Sequence, residues 1–210
     1  MLIPFHTTRG TVDLAALQPQ DFWAPMIAEA LSKINRFSGQ TRLPWSVASH
    51  SLLVEALCPT YPLKGWALLH DAHEAFIGDI TSPALDFICE SGSSVAVLNA
   101  INNAKGRIDR AIGAAWSCVP QPMNLEIRRA DWIALQAERL VFFDEPLALP
   151  REDDRAAAET AVVLINTLPR GSDWVWAKDE WLKRAHVLAS DGLLTLPDYY
   201  PNPSSTPLAG

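Results

Sequence analysis

A cluster of charged side chains inside an apolar, helix-favouring stretch constrains this chain more than any other feature. The stretch, GWALLHDAHEAFIGDITSP, covers residues 65–83 and holds His70, Asp71, His73, Glu74 and Asp79 within ten positions. The first four fall in a run whose apolar side chains predict a helix with one buried face. Buried charges need partners, and a divalent metal is the strongest partner that adjacent His and Asp side chains can share. The alternative is a helix whose acidic groups simply face water. The rest of the sequence distinguishes between these two interpretations.

Length and composition are those of an ordinary globular protein. The chain has 210 residues, of which 49% are hydrophobic and 20% charged, enough for one domain with a sizeable core. The net charge of −7 argues against a broad nucleic-acid-binding surface, but a small anionic substrate still fits a locally positive pocket. We expect residues 1–191 to form the domain and residues 192–210, which are rich in Pro and Ser, to form a flexible tail.

The cysteines and the N-terminus indicate the compartment. Cys58, Cys89 and Cys118 are far apart and form no CxxC pair, as expected of reduced thiols in a cytosolic protein. The N-terminal residues lack the pattern of a secretion signal, and no apolar run reaches the length of a membrane span. We therefore expect a cytoplasmic protein.

Helical spacing recurs along most of the chain. It predicts an all-α fold of roughly six to eight helices, preceded by a short irregular N-terminal arm or hairpin in residues 1–20. The predicted helices run approximately over residues 25–35, 47–57, 63–77, 83–89, 95–116, 123–143, 153–168 and 173–190.

Two polar side chains interrupt predicted apolar faces elsewhere. His50 shares a helix face with Val47 and Leu53, where a lone histidine is usually a core group bonded to a neighbour. Asp131 shares an apolar face in the helix at 123–143, where an unpaired carboxylate is costly. Asp131 therefore needs either a basic partner such as Arg128 or a metal ion.

His50, the pair His70–Asp71 and Asp131 lie in this order on three separate predicted helices. The arrangement resembles the HD-domain metal-dependent phosphohydrolases, particularly the small bacterial and phage members that include the 5′-deoxynucleotidases. An HD pair alone is weak evidence, whereas HDxxE followed by GD, with the upstream His and downstream Asp, is specific. The resembling segments span about half of the chain: INRF at 34–37, SVASHS at 46–51, ALLHDAHEAFIGDITSP at 67–83 and RRADW at 128–132.

The resemblance implies an HD-type helical bundle with a specific set of site residues. His50, His70, Asp71 and Asp131 would hold one divalent transition metal, namely Co, Mn, Zn, Fe or Ni, with Mg as an alternative for a triphosphate substrate. Two imidazoles and two carboxylates suit such ions and leave positions open for water and a phosphate oxygen.

Other residues are implied around this metal. Glu74 and Asp79 would act as the catalytic acids or bases. Arg36 would contact phosphate, Phe37 would lie near the sugar, and Arg42 is a third predicted substrate contact in the same loop. The related nucleotidases usually carry a small or neutral residue at the position of His73. We therefore expect His73 at the surface or behind the ligands, and one principal metal.

The implied reaction is hydrolysis of deoxynucleoside 5′-monophosphates to deoxynucleoside and phosphate. The close alternative is a deoxynucleoside triphosphate triphosphohydrolase, as in phage enzymes that remove one deoxynucleotide from the pool. A more basic pocket would favour that alternative, for which the candidate side chains are Lys33, Arg42, Arg128 and Arg129.

A third interpretation is a metal-free regulatory or binding module. Such modules typically lose a ligand or a helper acid, whereas this chain keeps the whole set. The expected partners are a small nucleotide and a second copy of the chain, associated through the Trp-rich C-terminal helix. Neither a nucleic-acid polymer nor a membrane is expected, and the resemblance implies the cytoplasm of a bacterium or a phage-infected host cell.

Overall fold

The computed structural model describes residues 1–168 and 174–197, and within them the fold is all-α apart from one N-terminal hairpin. The hairpin pairs β1 (Pro4–Thr7) with β2 (Gly10–Asp13) in antiparallel register. Short 3₁₀ turns occupy Pro19–Phe22, Arg36–Gly39 and Tyr61–Leu63. The helices are α1 (Ala24–Lys33), α2 (Val47–Leu57), α3 (Lys64–Leu69), α4 (Glu74–Ile77), α5 (Ser82–Glu90), α6 (Ser94–Ala115), α7 (Leu125–Phe143), α8 (Glu152–Thr167) and α9 (Trp174–Ser190). The predicted fold class and N-terminal arm are therefore confirmed.

Local capping explains where the central helices begin and end. The Ser46 hydroxyl accepts a hydrogen bond from the backbone N–H of Ser49 at 3.1 Å and so starts α2. The Asn124 side chain likewise accepts from the first turn of α7. Gly78 ends α4 with a φ of 76°, a conformation that glycine adopts without a steric penalty.

Helix α2 lies at the centre of the bundle. It packs against α1, α3, α7, α8 and α9, and most of its residues are buried on every side. A helix surrounded in this way has no polar face turned to solvent. Its polar residues, including His50 and Glu55, therefore point into the protein and must find partners there.

The predicted continuous helix from Leu63 to Ile77 is wrong. Helix α3 ends at Leu69 and α4 begins at Glu74, with a tight turn between them whose N–H groups bond three residues back, as from Ala72 to Leu69 and from Glu74 to Asp71. In such a turn, residues three apart lie almost in line, whereas in an α-helix residues three and four apart both share a face. Asp71 and Glu74 therefore lie on one side of the turn, and both line the same cavity.

The helical pair formed by α5 and the first half of α6 is largely exposed. In the described residues no side chain of α5 is buried, and Val95 and Leu98 of α6 are exposed. Only the second half of α6 reaches the core, where Ile108 and Ile112 are buried. Trp116, directly after α6, is buried as well.

The C-terminal part of the described chain extends past the predicted domain boundary. Leu194 is buried, and the backbone N–H of Thr195 donates to the carbonyl of Trp116 at 2.7 Å. The packed chain thus continues beyond residue 191. Residue 173 and the predicted tail from residue 198 onward lie outside the described residues. Within the described chain, none of the helices combines the length and the apolar character needed to cross a membrane.

Candidate metal centre

Three segments bring the four predicted metal ligands together. His50 comes from α2, His70 and Asp71 from the turn between α3 and α4, and Asp131 from α7. His50 Nε2 lies 3.0 Å from Asp131 Oδ1 and 3.8 Å from Asp71 Oδ2. His70 Nε2 lies 3.1 Å from the same Asp71 oxygen. A group of imidazole nitrogens and carboxylate oxygens this close can hold a divalent metal ion.

The ring of His70 is fixed in a ligand-competent tautomer. Its Nδ1 lies 2.8 Å from the carbonyl oxygen of Ala67, and because a carbonyl only accepts, Nδ1 carries a proton. Nε2 is buried and faces Asp71 Oδ2 at 3.1 Å. A buried ring nitrogen directed at a carboxylate oxygen, with the other nitrogen held by a carbonyl, fits a metal-ligand position.

Glu138 holds the other histidine, and sequence reasoning missed it. Its Oε1 lies 2.7 Å from His50 Nδ1 and also accepts from the indole N–H of Trp45 at 2.8 Å. Its Oε2 accepts from Arg36 Nε at 3.0 Å. Carboxylates that orient a ligating imidazole in this way are common behind metal sites. Glu138 lies seven residues after Asp131, and this two-turn spacing along one helix face was the available signal.

Charge coupling governs the four central groups. Burial disfavours an ionised Asp71, but the neighbouring His70 lowers the pKa of Asp71 well below its usual range. Burial likewise opposes ionisation of Asp131, but the hydrogen bond with His50 lowers the pKa of Asp131. For His70, Asp71 outweighs burial and raises the pKa to about 9. In the metal-free protein the carboxylates are therefore ionised and His70 carries a proton that a metal ion would displace.

The two predicted acid–base residues have environments that favour the protonated form. Burial, together with the charges of Asp71 and Asp79, raises the pKa of Glu74 to about 9. Burial also raises the pKa of Asp79. One oxygen of Glu74, Oε2, is buried without a hydrogen-bond partner among the described residues. A nearby cation would favour ionisation of both carboxyl groups.

A cavity of about 630 Å³ opens over this cluster. Asp71, Glu74, Asp79, Asp131 and Glu145 contribute its acidic lining. The other lining residues include the basic side chains of Arg36, Lys105 and Arg139 and the apolar side chains of Phe37, Ile80, Trp132, Leu135 and Phe143. One pocket therefore joins an acidic cluster, a few cations and an aromatic wall, and Trp132, Leu135, Phe143, Lys105 and Arg139 were not predicted.

The predicted substrate contacts separate into two groups. Arg36 and Phe37 line the cavity, and the Phe37 ring packs edge-on against Phe143 with centroids 5.1 Å apart. Arg42 does not line it: its side chain is 79% exposed and lies 3.4 Å from the exposed carboxylate of Asp144. The structure therefore brings Arg36 and Phe37 to the site and leaves Arg42 at the surface.

His73 is not at the surface. It is 5% exposed, and its Nδ1 lies 3.0 Å from Asp109 Oδ1 of α6. Sequence reasoning did not single out Asp109, although Asp109 lies three residues before Ile112 in the buried half of α6. That spacing was the signal that this carboxylate points inward.

These features define an all-α protein with a partly buried His–Asp cluster that can hold a metal ion beside a cavity. No family model matches the sequence. An uncharacterized protein of Rhodobacter capsulatus is 33% identical over 167 residues, which cover 75% of this chain and 80% of that protein. The chain therefore belongs to the same family as that protein.

A second relative matches a smaller part of the chain. The uncharacterized protein YfdR of Escherichia coli is 33% identical over 113 residues, which cover 54% of this chain and 57% of YfdR. The name of neither relative states an activity, so these two relatives do not assign a function to this chain.

Proposed function

We propose that this protein is a metal-dependent phosphohydrolase of the HD type that hydrolyses deoxynucleoside 5′-monophosphates. The observation that carries the proposal is the meeting of His50, His70, Asp71 and Asp131 beside a cavity that Arg36 and Phe37 also line. These four side chains would hold a divalent cation, which would supply neutralisation of phosphoryl charge and a bound water of lowered pKa. The four side chains have the donor types that such a cation requires.

Arg36 is suited to bind the phosphate. Its Nε is held by Glu138 at 3.0 Å, which fixes the plane of the guanidinium at the cavity wall. A guanidinium can donate two parallel hydrogen bonds to phosphate oxygens, and a fixed one loses less entropy in doing so. The proposed role of Arg36 is therefore to orient the phosphoryl group over the acidic lining.

Glu74 and Asp79 are suited to proton transfer. Both line the cavity beside Asp71, and both have a pKa raised by burial. A carboxyl group whose pKa lies nearer neutrality can hold a proton for the leaving sugar oxygen or take one from water. We assign this task to the two residues together.

The aromatic wall of the cavity is suited to bind a nucleoside. Phe37, Trp132, Leu135 and Phe143 line the same cavity as the acidic cluster. Aromatic rings provide flat surfaces on which a base or sugar packs favourably. The cavity of about 630 Å³ is in the usual range for a small-molecule ligand. A phosphate at the acidic end with a base at the aromatic wall would use both ends of the cavity.

The distribution of basic residues favours a monophosphate over a triphosphate. Lys33 forms an ion pair with Glu29, Arg129 with Asp154, and Arg42 with Asp144. None of these cations lines the cavity, and neither does the exposed Arg128. Lys105 and Arg139 do line it, so triphosphate hydrolysis is the second candidate function.

One substrate panel tests both reactions. The protein is stripped of metal with chelator, reloaded separately with Mn²⁺, Co²⁺ or Mg²⁺, and incubated with the common ribo- and deoxyribonucleoside mono- and triphosphates. We expect release of inorganic phosphate from deoxynucleoside monophosphates, and loss of this activity in Asp71→Asn. Release of triphosphate instead would select the second candidate.

The control replaces a carboxylate outside the cavity. Asp86 is exposed on α5 and does not line the cavity, so Asp86→Asn should retain the wild-type rate. Absence of turnover with every metal and nucleotide would refute the proposal, as would wild-type activity in Asp71→Asn. Absence of all turnover would favour the binding-module interpretation, whereas wild-type activity in Asp71→Asn would remove Asp71 from the proposed site.

A further inference from the structure

We infer that Asp71, His73 and Glu74 form a second cation site next to the first, with Asp71 shared between the two. One donor atom from each of these residues lies within 4.8 Å of the others. One nitrogen and two carboxylate oxygens form a ligand set suited to Mn²⁺, Fe²⁺, Co²⁺ or Zn²⁺. The inference goes beyond the single metal that the sequence predicted, and the site itself does not depend on the identity of the substrate.

His73 is oriented as a ligand would be. Its Nδ1 lies 3.0 Å from Asp109 Oδ1, and Asp109 is itself buried. Its Nε2 is buried and finds no hydrogen-bond partner in the part of the chain that the structure describes. Metal-bound histidines usually donate their other N–H to a carboxylate or carbonyl, and the pair of His73 and Asp109 follows that pattern.

Glu74 contributes a second unpartnered donor atom. The residue is 5% exposed, and its Oε2 is buried without a hydrogen-bond partner among the described residues. Two adjacent members of this three-residue group thus each carry a buried polar atom that has no hydrogen-bond partner among the described residues. Leaving such atoms unbonded costs free energy, and a cation between them would satisfy both.

The tight turn explains how Asp71 can serve two sites. Asp71 Oδ2 faces His70 Nε2 at 3.1 Å and His50 Nε2 at 3.8 Å. The turn, in which residues three apart share a side, also brings Asp71 next to Glu74. A carboxylate has two oxygens with several acceptor sites, so one side chain can ligate two cations.

A second cation would change which residues transfer protons in the proposed reaction. Two adjacent cations can stabilise both the attacking and the leaving oxygen of a phosphoryl transfer. Glu74 would then be an ionised ligand, and proton transfer would fall to Asp79. This consequence rests on the proposed function, whereas the ion count does not.

Metal stoichiometry tests the site directly. Chelator-stripped protein is titrated with Mn²⁺, and bound metal is counted by calorimetry and by elemental analysis after dialysis. We expect two ions per wild-type chain and one per chain in His73→Ala. The matched control is His186→Ala, which removes an exposed histidine on α9 and should leave two ions bound.

Two conservative variants show whether a reduced ion count results from loss of a ligand or from misfolding. Glu74→Gln keeps the side-chain size and should also reduce the count to one ion, whereas a Glu74 that only moves protons would leave the count unchanged. Asp109→Asn should weaken the second ion by about 10- to 100-fold while leaving the first unaffected. Thermal unfolding followed by circular dichroism in chelator identifies any variant that fails to fold.

Electron paramagnetic resonance gives an independent measurement. Two Mn²⁺ ions bridged by Asp71 should show an exchange-coupled spectrum, which His73→Ala should convert to that of isolated Mn²⁺. A single bound ion in saturated wild-type protein would overturn the inference, as would an unchanged count in folded His73→Ala. If two ions bind but no nucleotide is hydrolysed, the proposed function alone fails. If one ion binds and turnover is normal, the second site alone fails.

Discussion

Two regions of the protein reverse the usual relation between polarity and burial. One is the cluster around Glu138, and the other is the pair of helices α5 and α6. Glu138 is a charged residue with no exposed surface, whereas Phe87 of α5 is an aromatic residue that is 71% exposed. Around Glu138, the side chains of Arg36, Trp45 and His50 each meet one of its oxygens. The comparison teaches that burial in this protein follows the partners available in the tertiary structure, and not the hydropathy of the residue alone.

The two regions should therefore differ in how much free energy each side chain contributes to folding. Breaking a satisfied buried network leaves several polar groups unpaired, and that cost is high. Removing an exposed side chain removes few contacts, and most such changes are small. Substitutions matched in chemistry across the two regions can measure this difference.

The largest expected effect is that of Glu138→Ala. The substitution leaves Arg36 without its ion-pair partner and removes the acceptor of the Trp45 indole N–H and the partner of His50 Nδ1. We expect it to lower the free energy of unfolding by about 3–5 kcal/mol. Urea denaturation in the presence of chelator measures this loss without a contribution from bound metal. The comparison variant is Asp86→Ala on α5, which should stay within about 0.5 kcal/mol of wild type. Equal effects of the two substitutions would remove the proposed difference between the regions.

A pair of phenylalanines extends the comparison to apolar side chains. Phe22 is fully buried and packs edge-on against Phe76 with ring centroids 5.3 Å apart. We expect Phe22→Ala to lower the free energy of unfolding by about 3–5 kcal/mol because it leaves a cavity in the core. Phe87→Ala should change it by no more than about 0.5 kcal/mol. A large loss in Phe87→Ala would indicate that another surface covers α5 in solution.

Two glycines of helix α6 allow the same comparison between a crowded and an open position. A methyl group on Gly113 would lie 2.5 Å from Pro120 Cδ and 2.7 Å from the carbonyl oxygen of Cys118. Gly113→Ala should therefore destabilise the protein by about 1–3 kcal/mol. At Gly106 the nearest atom is 3.4 Å away, at the flexible end of Arg110, so Gly106→Ala should stabilise α6 by about 0.5–1 kcal/mol. Thermal unfolding of the two variants should shift in opposite directions, and a shift in the same direction would contradict the packing of α6.

Local sequence signals predicted much of the fold because their causes are local. Ser46 caps α2 through its own hydroxyl, and Gly78 ends α4 because it tolerates a positive φ. Helical spacing gave the fold class and the approximate bounds of most helices. The same spacing turned His50 inward and placed Asp131 near an apolar face, which is why both could be chosen as candidate ligands.

Other features could not be read from local sequence. The apolar residues of α5 follow the helical pattern as well as those of the core helices do, but α6 packs against α5 without burying any of them. The tight turn at 70–73 interrupts a predicted helix. Arg36 and Arg42 were both predicted substrate contacts in one loop, and only Arg36 meets a buried carboxylate from α7.

The sequence by itself determined most of the helical segments and which side chains have the donor types of a metal site, since both depend on side-chain type and short spacing. Only the tertiary structure decided that Glu138 supports His50 and that Asp109 supports His73. It also decided that the aromatic wall shares a cavity with Asp71. The physical reason is that each of these relations joins residues far apart in the chain, so it exists only after the helices have packed against one another.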